Sequence, residues 1–414
     1  MKKALVVGLG LSGKAAIELL LQQGYVVTGV DQHDKKAEMQ EFIKKGVHIT
    51  TEHALNRERF SLSVSSSGVP RSHPCLQLGD EILCEAELGL REISSPVVAV
   101  TGTNGKTTIA LLTEHVLRHA GFSAKAFGNI GEPITKYALH PHVDDVLVLE
   151  LSSFQLETLK RRCVLSGVIT NITPDHLDRY SSMQEYAKAK ANLQYLIRQE
   201  GALYVGERVL QEYASLLPTS TLSLSYAEAE EFLQGHAEFA HDKWNGFAAW
   251  KLCAPFGVSR EMFLGAYRSF KKPKHRMEFV HTWKGVSYID DSKGTNIDAV
   301  IQAVSGLDRP VILIVGGVDK GASYMPWKEA FCGRVKQLIA LGQAAPKIAR
   351  ELALFFNLQI VDSLEKAVSM SSQIAKEGDV VLLSPGCSSF DMFRDYAHRG
   401  AMFQQFVRRL GEEE

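Results

Sequence analysis

The sequence predicts an α/β protein of three domains. These are a Rossmann-like first domain over residues 1–93, a central P-loop-ATPase-like parallel-sheet domain over 94–271, and a Rossmann-like third domain over 272–414. Three observations lead there. At 414 residues the chain exceeds the ~250 to 300 at which a single core stops growing. Short apolar runs alternate with polar loops and helical stretches almost throughout, the pattern of parallel sheets. Two of those runs lead into glycine-bearing loops that open helices, as phosphate-binding turns do.

Ala4–Val7 is the first strand, Gly8-Leu-Gly-Leu-Ser-Gly13 a turn, and Lys14 to Gln23 a helix stopped by Gly24. The next strand, Val26–Val30, ends on Asp31, which completes a G-x-G-x-x-G fingerprint with an acidic residue ~20 positions on. Gly8 serves the turn, Gly10 the close approach of a phosphate, and Gly13 the packing of helix on strand. The unit stops near residue 93 without a nicotinamide-binding second half, so a Rossmann shape that takes another ligand is the better reading. Val64-Ser-Ser-Ser-Gly-Val-Pro70 reads equally as a second phosphate contact or a plain turn.

Val97–Val100 is a buried strand, and Thr107 to Ala120 is an amphipathic helix with Ile109, Leu112 and Val116 on one face. Between them, Gly102 and Gly105 let backbone N–H groups point into a concavity at the helix N-terminus. Lys106 adds a charge there, and the Thr107 hydroxyl is placed to ligate Mg²⁺. The loop is shorter than G-x-x-x-x-G-K-[ST], which would need glycine where Val100 stands. Val146–Leu151 is a strand with one carboxylate, Glu150, which reads equally as a Mg²⁺ ligand facing Thr107 or as a side chain reaching solvent. Gly167–Ile172 is the next strand. In Pro174-Asp-His-Leu-Asp-Arg-Tyr180, a helical turn would put His176 and Arg179 on one face. Lys188 and Lys190 read, on pattern alone, as solvated helix residues.

The basic run Lys271–Arg276 marks the last boundary. Val286–Ile289 leads into Asp290–Asn296 and a helix through Val304, and Val311–Val315 leads into Gly316–Gly321. Leu338–Leu341 and Val380–Leu383 precede Ser384–Phe390. With ligand loops at strand carboxyl ends, a cleft between domains is expected.

Composition narrows the function. Lys plus Arg number 46 against 47 Asp plus Glu, so no net field draws the whole chain to nucleic acid or anionic lipid. Six cysteines without C-x-x-C spacing fit neither a disulfide framework nor a zinc site and point to a reducing cytoplasm. No run approaches the ~18 apolar residues of a membrane span, and glycines interrupt the apolar start, which reads as a strand rather than a signal peptide. No Ser-His-Asp order or Cys-His pair stands out for covalent catalysis, whereas phosphoryl transfer needs mainly positioning and charge neutralisation.

Thr101-Gly-Thr-Asn-Gly-Lys-Thr-Thr108 resembles the ATP-binding loop of the Mur ligases, which build the peptide stem of bacterial cell wall, and of folylpolyglutamate synthase. G-L-G-L-S-G (8–13), G-N-I-G (128–131), E-L-S-S-F-Q-L-E (150–157), T-N-I-T-P-D-H-L-D-R-Y (170–180), H-R-M-E (275–278), D-S-K-G-T-N (291–296) and S-P-G-C-S-S-F-D-M-F (384–393) are similar, in this order, to the D-glutamate-adding branch of that family. Gly8, Gly10 and Gly13 separate it from the folylpolyglutamate type.

The resemblance implies a cytoplasmic, monomeric, ATP-dependent amide ligase that joins D-glutamate to UDP-N-acetylmuramoyl-L-alanine through an acyl phosphate, with two Mg²⁺, in peptidoglycan precursor synthesis. It implies that Gly102, Thr103, Asn104, Gly105, Lys106, Thr107, Thr108, Asn129, Asn245, Arg276 and Asp291 hold ATP. Thr107 and Glu150 serve one Mg²⁺ and His176 the other. Lys190 carries a CO₂-derived carbamate that ligates or supports the metal, which requires a shielded, neutral amine. Lys106, His176 and Lys190 are thereby the catalytic set. The UDP-substrate would meet Gly10, Leu11, Ser12, Asp31, Ser66, Ser67, Gly68 and Asn129, and D-glutamate would meet Thr295, Lys320, Ser389, Phe390 and Tyr396. Three places depart from the family pattern: Asp242 for an asparagine in His241–Ala249, Ser66-Ser-Gly68 with Gln32-His33 in the first domain, and Tyr396 for a phenylalanine. A nicotinamide-dependent oxidoreductase and a non-catalytic nucleotide-binding regulator are the rival classes.

Overall fold

The structure, a computed structural model, describes all residues except 1, 57, 67, 144, 178, 238, 239 and 412–414. The chain forms two compact units. One comprises Met1–Ile172, Tyr186–Glu238 and Asp242–Phe270, and the other Thr173–Glu185, Phe239–His241 and Lys271–Glu414.

The first unit contains two parallel sheets. In one, β1 (Lys3–Val7), β2 (Val26–Asp31), β3 (His48–Thr51), β4 (Phe60–Ser65) and β5 (Gly79–Cys84) lie in the order 3-2-1-4-5. In the other, β6 (Val97–Thr101), β7 (Ser123–Gly128), β8 (Asp145–Glu150), β9 (Val164–Ile169), β10 (Ile197–Gly206) and β11 (Leu222–Leu224) lie in the order 11-10-9-6-8-7. Val97 to Thr101 is buried on both faces, as a central parallel strand must be.

A seam ties these two sheets together. The helix Glu85–Leu90 leaves β5 and packs on the helix Ile134–Ala138 so closely that a Cβ on Gly89 would run into Ile134. Glu85, buried, accepts the N–H and the hydroxyl of Thr135, each at 2.7 Å. Glu87, also buried, accepts the N–H groups of Lys160 (2.8 Å) and Arg161 (3.1 Å), and the Arg161 guanidinium donates back to the carbonyls of Leu90 and Ile93. Burial pushes the Glu85 carboxyl above the ordinary range, and the hydrogen bonds from Thr135 pull it part of the way back.

The third sheet lies in the second unit: β12 (Glu278–Trp283), β13 (Val286–Asp290), β14 (Val311–Gly316), β15 (Val335–Leu341), β16 (Leu358–Ile360) and β17 (Val380–Leu383), in the order 12-13-17-14-15-16. Only β12 runs antiparallel, paired with β13 through a two-residue turn in which Lys284 and Gly285 both take positive φ, the geometry that matches strand twist. The sequence reading missed β12, because no residue of this edge strand is buried, Phe279 included, and Lys-Gly is a weaker hairpin signal than Asn-Gly. Trp327 and Phe331 fill one side of the sheet and Phe403 the other.

Several boundaries differ from expectation. The helix after β1 is Leu11–Gln22 and the one after β6 is Lys106–His119. The strand expected over 167–172 is β9, Val164–Ile169: the Thr170 N–H still donates to the Thr101 carbonyl, and Asn171 then turns to brace the loop after β6. Among the described residues of 174–180 none is helical: His176 takes φ 56°, and its carbonyl accepts the N–H of Arg179.

Candidate functional site

The loop after β6 is built by glycine. Gly105 caps the helix with φ 87°, and Gly102, at φ 142°, lies where any Cβ would strike the Thr170 hydroxyl. The Thr170 hydroxyl donates to the Asn104 carbonyl at 2.7 Å. Thr103 N–H donates to the Asn171 carbonyl (2.8 Å) and Asn104 N–H to Asn171 Oδ1 (2.8 Å). Those two loop amides therefore face Asn171 and not the concavity. The groups available to an anion are the first N–H groups of the helix, from Lys106 to Thr108, which have no intrahelical acceptor. Lys106 Nζ lies over the loop, donating to the carbonyls of Gly102 (2.9 Å) and Thr103 (2.8 Å). Thr107 is half-buried at the helix start, and the Asn245 amide, itself buried, is packed against Gly105. Asp242 is buried one turn before Asn245 on the helix Ala240–Cys253.

Beside the loop, β8 ends on Glu150, 2 % exposed. Its Oε1 accepts Asn129 Nδ2 at 3.0 Å, and its Oε2 is buried with no hydrogen-bond partner. The Glu150 carbonyl accepts Asn129 N–H at 2.9 Å, so Asn129 is held at both ends by one residue. A buried, ionisable oxygen without a donor is costly, and burial keeps this one from reaching solvent. The solvent-reaching alternative for Glu150 is thereby excluded. Lys190 is also buried, at 2 % exposure, whereas Lys188 is exposed. Lys190 Nζ donates to the Gly102 carbonyl at 2.7 Å and stands 4.5 Å over the Tyr186 ring, whose hydroxyl lies 3.3 Å from Thr103 Oγ1. The solvated reading of Lys190 from pattern fails because it is buried on the core side of its helix with Tyr186, Ala187, Ala189 and Ala191.

At the carboxyl edge of the first sheet, Gly8 (φ 87°) makes the turn, and a Cβ on Gly13 would run into the Gly8 carbonyl. Asp31 accepts the N–H of Leu9 at 2.9 Å and of His33 at 3.2 Å, so it pins the turn. Ser66, whose N–H donates to the Val7 carbonyl, packs against Gly8. Gly10, Leu11, Ser12, Asp31, Ser66 and Gly68 thus gather at the ends of β1, β2 and β4, where the strand order reverses, the usual ligand position of such sheets. Leu11 is 80 % exposed on this rim. Ser67 falls outside the described residues.

In the second unit, three loops at the ends of β13, β14 and β17 bond to one another. Gly386 N–H donates to the Gly294 carbonyl (2.8 Å), and Val318 and Ser388 form a bridge. The buried Arg399 guanidinium donates to the carbonyls of Ser292 (2.9 Å) and Cys387 (3.1 Å). Arg276 lies between two left-handed residues, His275 (φ 61°) and Met277 (φ 46°), while His275 Nδ1 meets the buried Asp290 carboxylate at 2.7 Å. Asp291 accepts Ser384 Oγ at 2.7 Å and Met277 N–H at 3.3 Å. Burial pushes its carboxyl up to about 6, against the pull of Arg276.

The amino-acid residues expected from the sequence share this unit. Thr295 precedes Asn296, whose side chain caps the helix Ile297–Ser305. Ser389 is buried, Phe390 is 73 % exposed, and Tyr396 is partly exposed. Lys320 Nζ donates to Asp175 Oδ1 at 3.0 Å, and the same oxygen accepts His176 N–H at 3.0 Å. Asn171, Tyr186, Asp175 and Arg399 are the contributors that sequence reasoning passed over. Three of them stood in or beside recognised motifs, whereas Arg399 carried no local signal.

Two family models match the chain: the Mur ligase middle domain at residues 100–245 and the Mur ligase glutamate ligase domain at 275–387. A UDP-N-acetylmuramoylalanine–D-glutamate ligase of Protochlamydia amoebophila is 44 % identical over 99 % of this chain and 98 % of its own. Another, from Alkaliphilus metalliredigens, is 35 % identical over 99 % and 98 %. Among solved structures, the MurF ligase of Thermotoga maritima in complex with ADP superposes with a TM-score of 0.63 at 15 % identity, covering 94 % of this chain and 96 % of its own. The UDP-N-acetylmuramate–alanine ligase MurC of the same organism gives 0.58 at 16 %, over the full length of both. Among the described residues no helix is long and apolar enough to cross a membrane.

Proposed function

The chain belongs to the Mur ligase family, and from that premise we propose how its residues divide the work of the reaction. The protein is an ATP-dependent ligase that adds D-glutamate to UDP-N-acetylmuramoyl-L-alanine in peptidoglycan precursor synthesis. A carboxylate is a poor acyl donor, so the γ-phosphoryl group of ATP passes to a carboxylate oxygen of the alanyl end and ADP departs. The amine of D-glutamate, having lost a proton, attacks the acyl carbon. Phosphate leaves with its bonding electron pair, the nitrogen gives up a second proton, and the amide remains.

In our reading Lys106 and the N–H groups of Lys106 to Thr108 hold the β and γ phosphates, with Asn129 beside them and Asn245 behind the loop. Arg276 and Asp291 are likewise assigned to the nucleotide. Thr107 and Glu150 suit one Mg²⁺, and the partnerless Glu150 oxygen is the observation that carries this assignment. His176 suits a second, and the buried Lys190 offers the shielded amine that carbamylation requires. Mg²⁺ bound there would neutralise phosphoryl charge, and a carbamate on Lys190 would supply an anion to support it. The rim of the first sheet, from Gly10 to Ser12 with Asp31, Ser66 and Gly68, is assigned to the UDP end. Thr295, Lys320, Ser389, Phe390 and Tyr396 are assigned to D-glutamate. We place the enzyme in the cytoplasm, acting as a monomer.

Phosphate release from ATP and Mg²⁺ with UDP-N-acetylmuramoyl-L-alanine tests the whole reading. Release with D-glutamate, and not with L-glutamate or without amino acid, is expected. Release that ignores the amino acid would overturn it.

A further inference from the structure

Arg276 is carried on an unusual piece of backbone. His275 and Met277, on either side of it, take φ 61° and 46°, and neither is glycine. Side chains rarely adopt that conformation, and two such residues so close together persist only where their surroundings over-determine them. The Asp291 carboxylate feels the Arg276 charge, yet among the described residues no hydrogen bond ties the Arg276 guanidinium down. Its aim is therefore set by the bend.

The contacts that fix the bend converge on His275. Its N–H donates to Glu278 Oε2 at 2.7 Å, and its carbonyl accepts the N–H of Lys293 at 3.1 Å. Its ring fits against the helix Tyr396–Arg409 at Gly400, where any Cβ would strike Nδ1. That nitrogen meets Asp290 Oδ2 at 2.7 Å, and the same oxygen accepts Gln404 Nε2, one helical turn beyond Gly400, at 2.9 Å. The other Asp290 oxygen accepts the N–H of Ser292 at 2.9 Å, so both oxygens of this fully buried carboxylate are satisfied. The hydrogen bond to Asp290 raises the His275 imidazole above its ordinary range, which favours the charged ring.

His275, Glu278 and Asp290 stand close enough together to share a cation. Lys274, Arg408 and Arg409 border the same recess, however, and a 2.7 Å contact between an imidazole nitrogen and a carboxylate already holds a proton, so the three groups serve one another. We propose that Asp290 and Gln404 are positioning residues for Arg276. Acting through the His275 ring, they hold the left-handed bend that aims the guanidinium at the nucleotide, without reaching the nucleotide themselves. The inference rests on the assignment of Arg276 to ATP made above.

Phosphate-release kinetics of the full-length enzyme, with ATP and D-glutamate varied in turn, separate positioning from general support. In Asp290→Asn the KM for ATP should rise about tenfold, and in Gln404→Ala about threefold, as a charged and an ordinary hydrogen bond are lost, with kcat and the KM for D-glutamate within about twofold of wild type. Arg276→Ala supplies the reference. Residues that act only through Arg276 should raise the KM for ATP no further when their changes are added to Arg276→Ala. Additive effects in the double variants overturn the proposal. So does a parallel loss of kcat and of affinity for both substrates, as a merely structural residue would give. Should Asp290→Asn fail to fold, Gln404→Ala runs the same cycle, and a wild-type KM for ATP in that variant also overturns the proposal. An unchanged KM for ATP in Arg276→Ala fails at the earlier assignment and removes the inference with it.

Discussion

Glu85, in the seam between the first two sheets, and Glu150, at the end of β8, are withdrawn from water to the same degree, yet the protein treats them differently. The Glu85 carboxylate is met by the N–H and hydroxyl of Thr135. Glu150 has one oxygen on Asn129 and the other on nothing the chain supplies. A buried charge that the fold satisfies is a fastener, and one that it leaves open is what the proposed Mg²⁺ assignment rests on. Burial alone does not tell these apart; the donor count does.

The sharpest break of this comparison is Glu150→Gln. It removes the open oxygen's charge, and phosphate release should fall about 10³-fold while thermal unfolding stays where it was or moves up, since an unsatisfied anion has gone. A stability loss with normal turnover would make Glu150 a fastener too. Glu85→Ala should do the opposite. It strands two donors at roughly 1 to 3 kcal/mol each, so denaturant unfolding should show a loss of about 2 to 6 kcal/mol, with turnover per folded molecule within about twofold of wild type.

Asp291 extends the contrast to pH. Its folded-state carboxyl lies near 6, above the ordinary 3.8, so the folded protein binds this proton more tightly than the unfolded chain. Its contribution is favourable at low pH and is lost as pH rises from about 4 to about 6, by at most about 3 kcal/mol. Melting temperatures across that window should decline less in Asp291→Asn than in wild type. The smallest effect expected is that of Lys190→Ala, a loss of about 10 to 100-fold in turnover, partly restored by formate or acetate standing in for a carbamate. Full activity without rescue would leave Lys190 as a packing residue for the loop after β6.

Much of this was legible before the structure. The grip from Val97 to Thr108 is local: strand, glycines, cation and helix follow one another in the chain, so periodicity and residue type suffice. The three sheets follow from apolar runs in the same way. What pattern cannot see is contact over long separations. Lys190 looked solvated because its helix offers no local reason for burial, and only the family resemblance pointed to a shielded amine; the carbonyl that receives it belongs to Gly102. The early end of β9 is set by Asn171 serving a loop some seventy residues upstream. Arg399 reads as an ordinary helix cation until its carbonyl partners at Ser292 and Cys387 are known. Asp31 read as the acidic end of the glycine fingerprint, and its oxygens turn out to hold the backbone of Leu9 and His33.

The seam bears on how ligases of this kind can recombine. A crossover at residue 93 or 94, the natural joint by sequence pattern, would pair a foreign Glu85, Glu87 and Gly89 with the resident Ile134, Thr135 and Arg161. Chimeras that exchange the first sheet should fold only when those six positions travel together or match already, so the inherited cassette is larger than the first sheet and discontinuous in sequence.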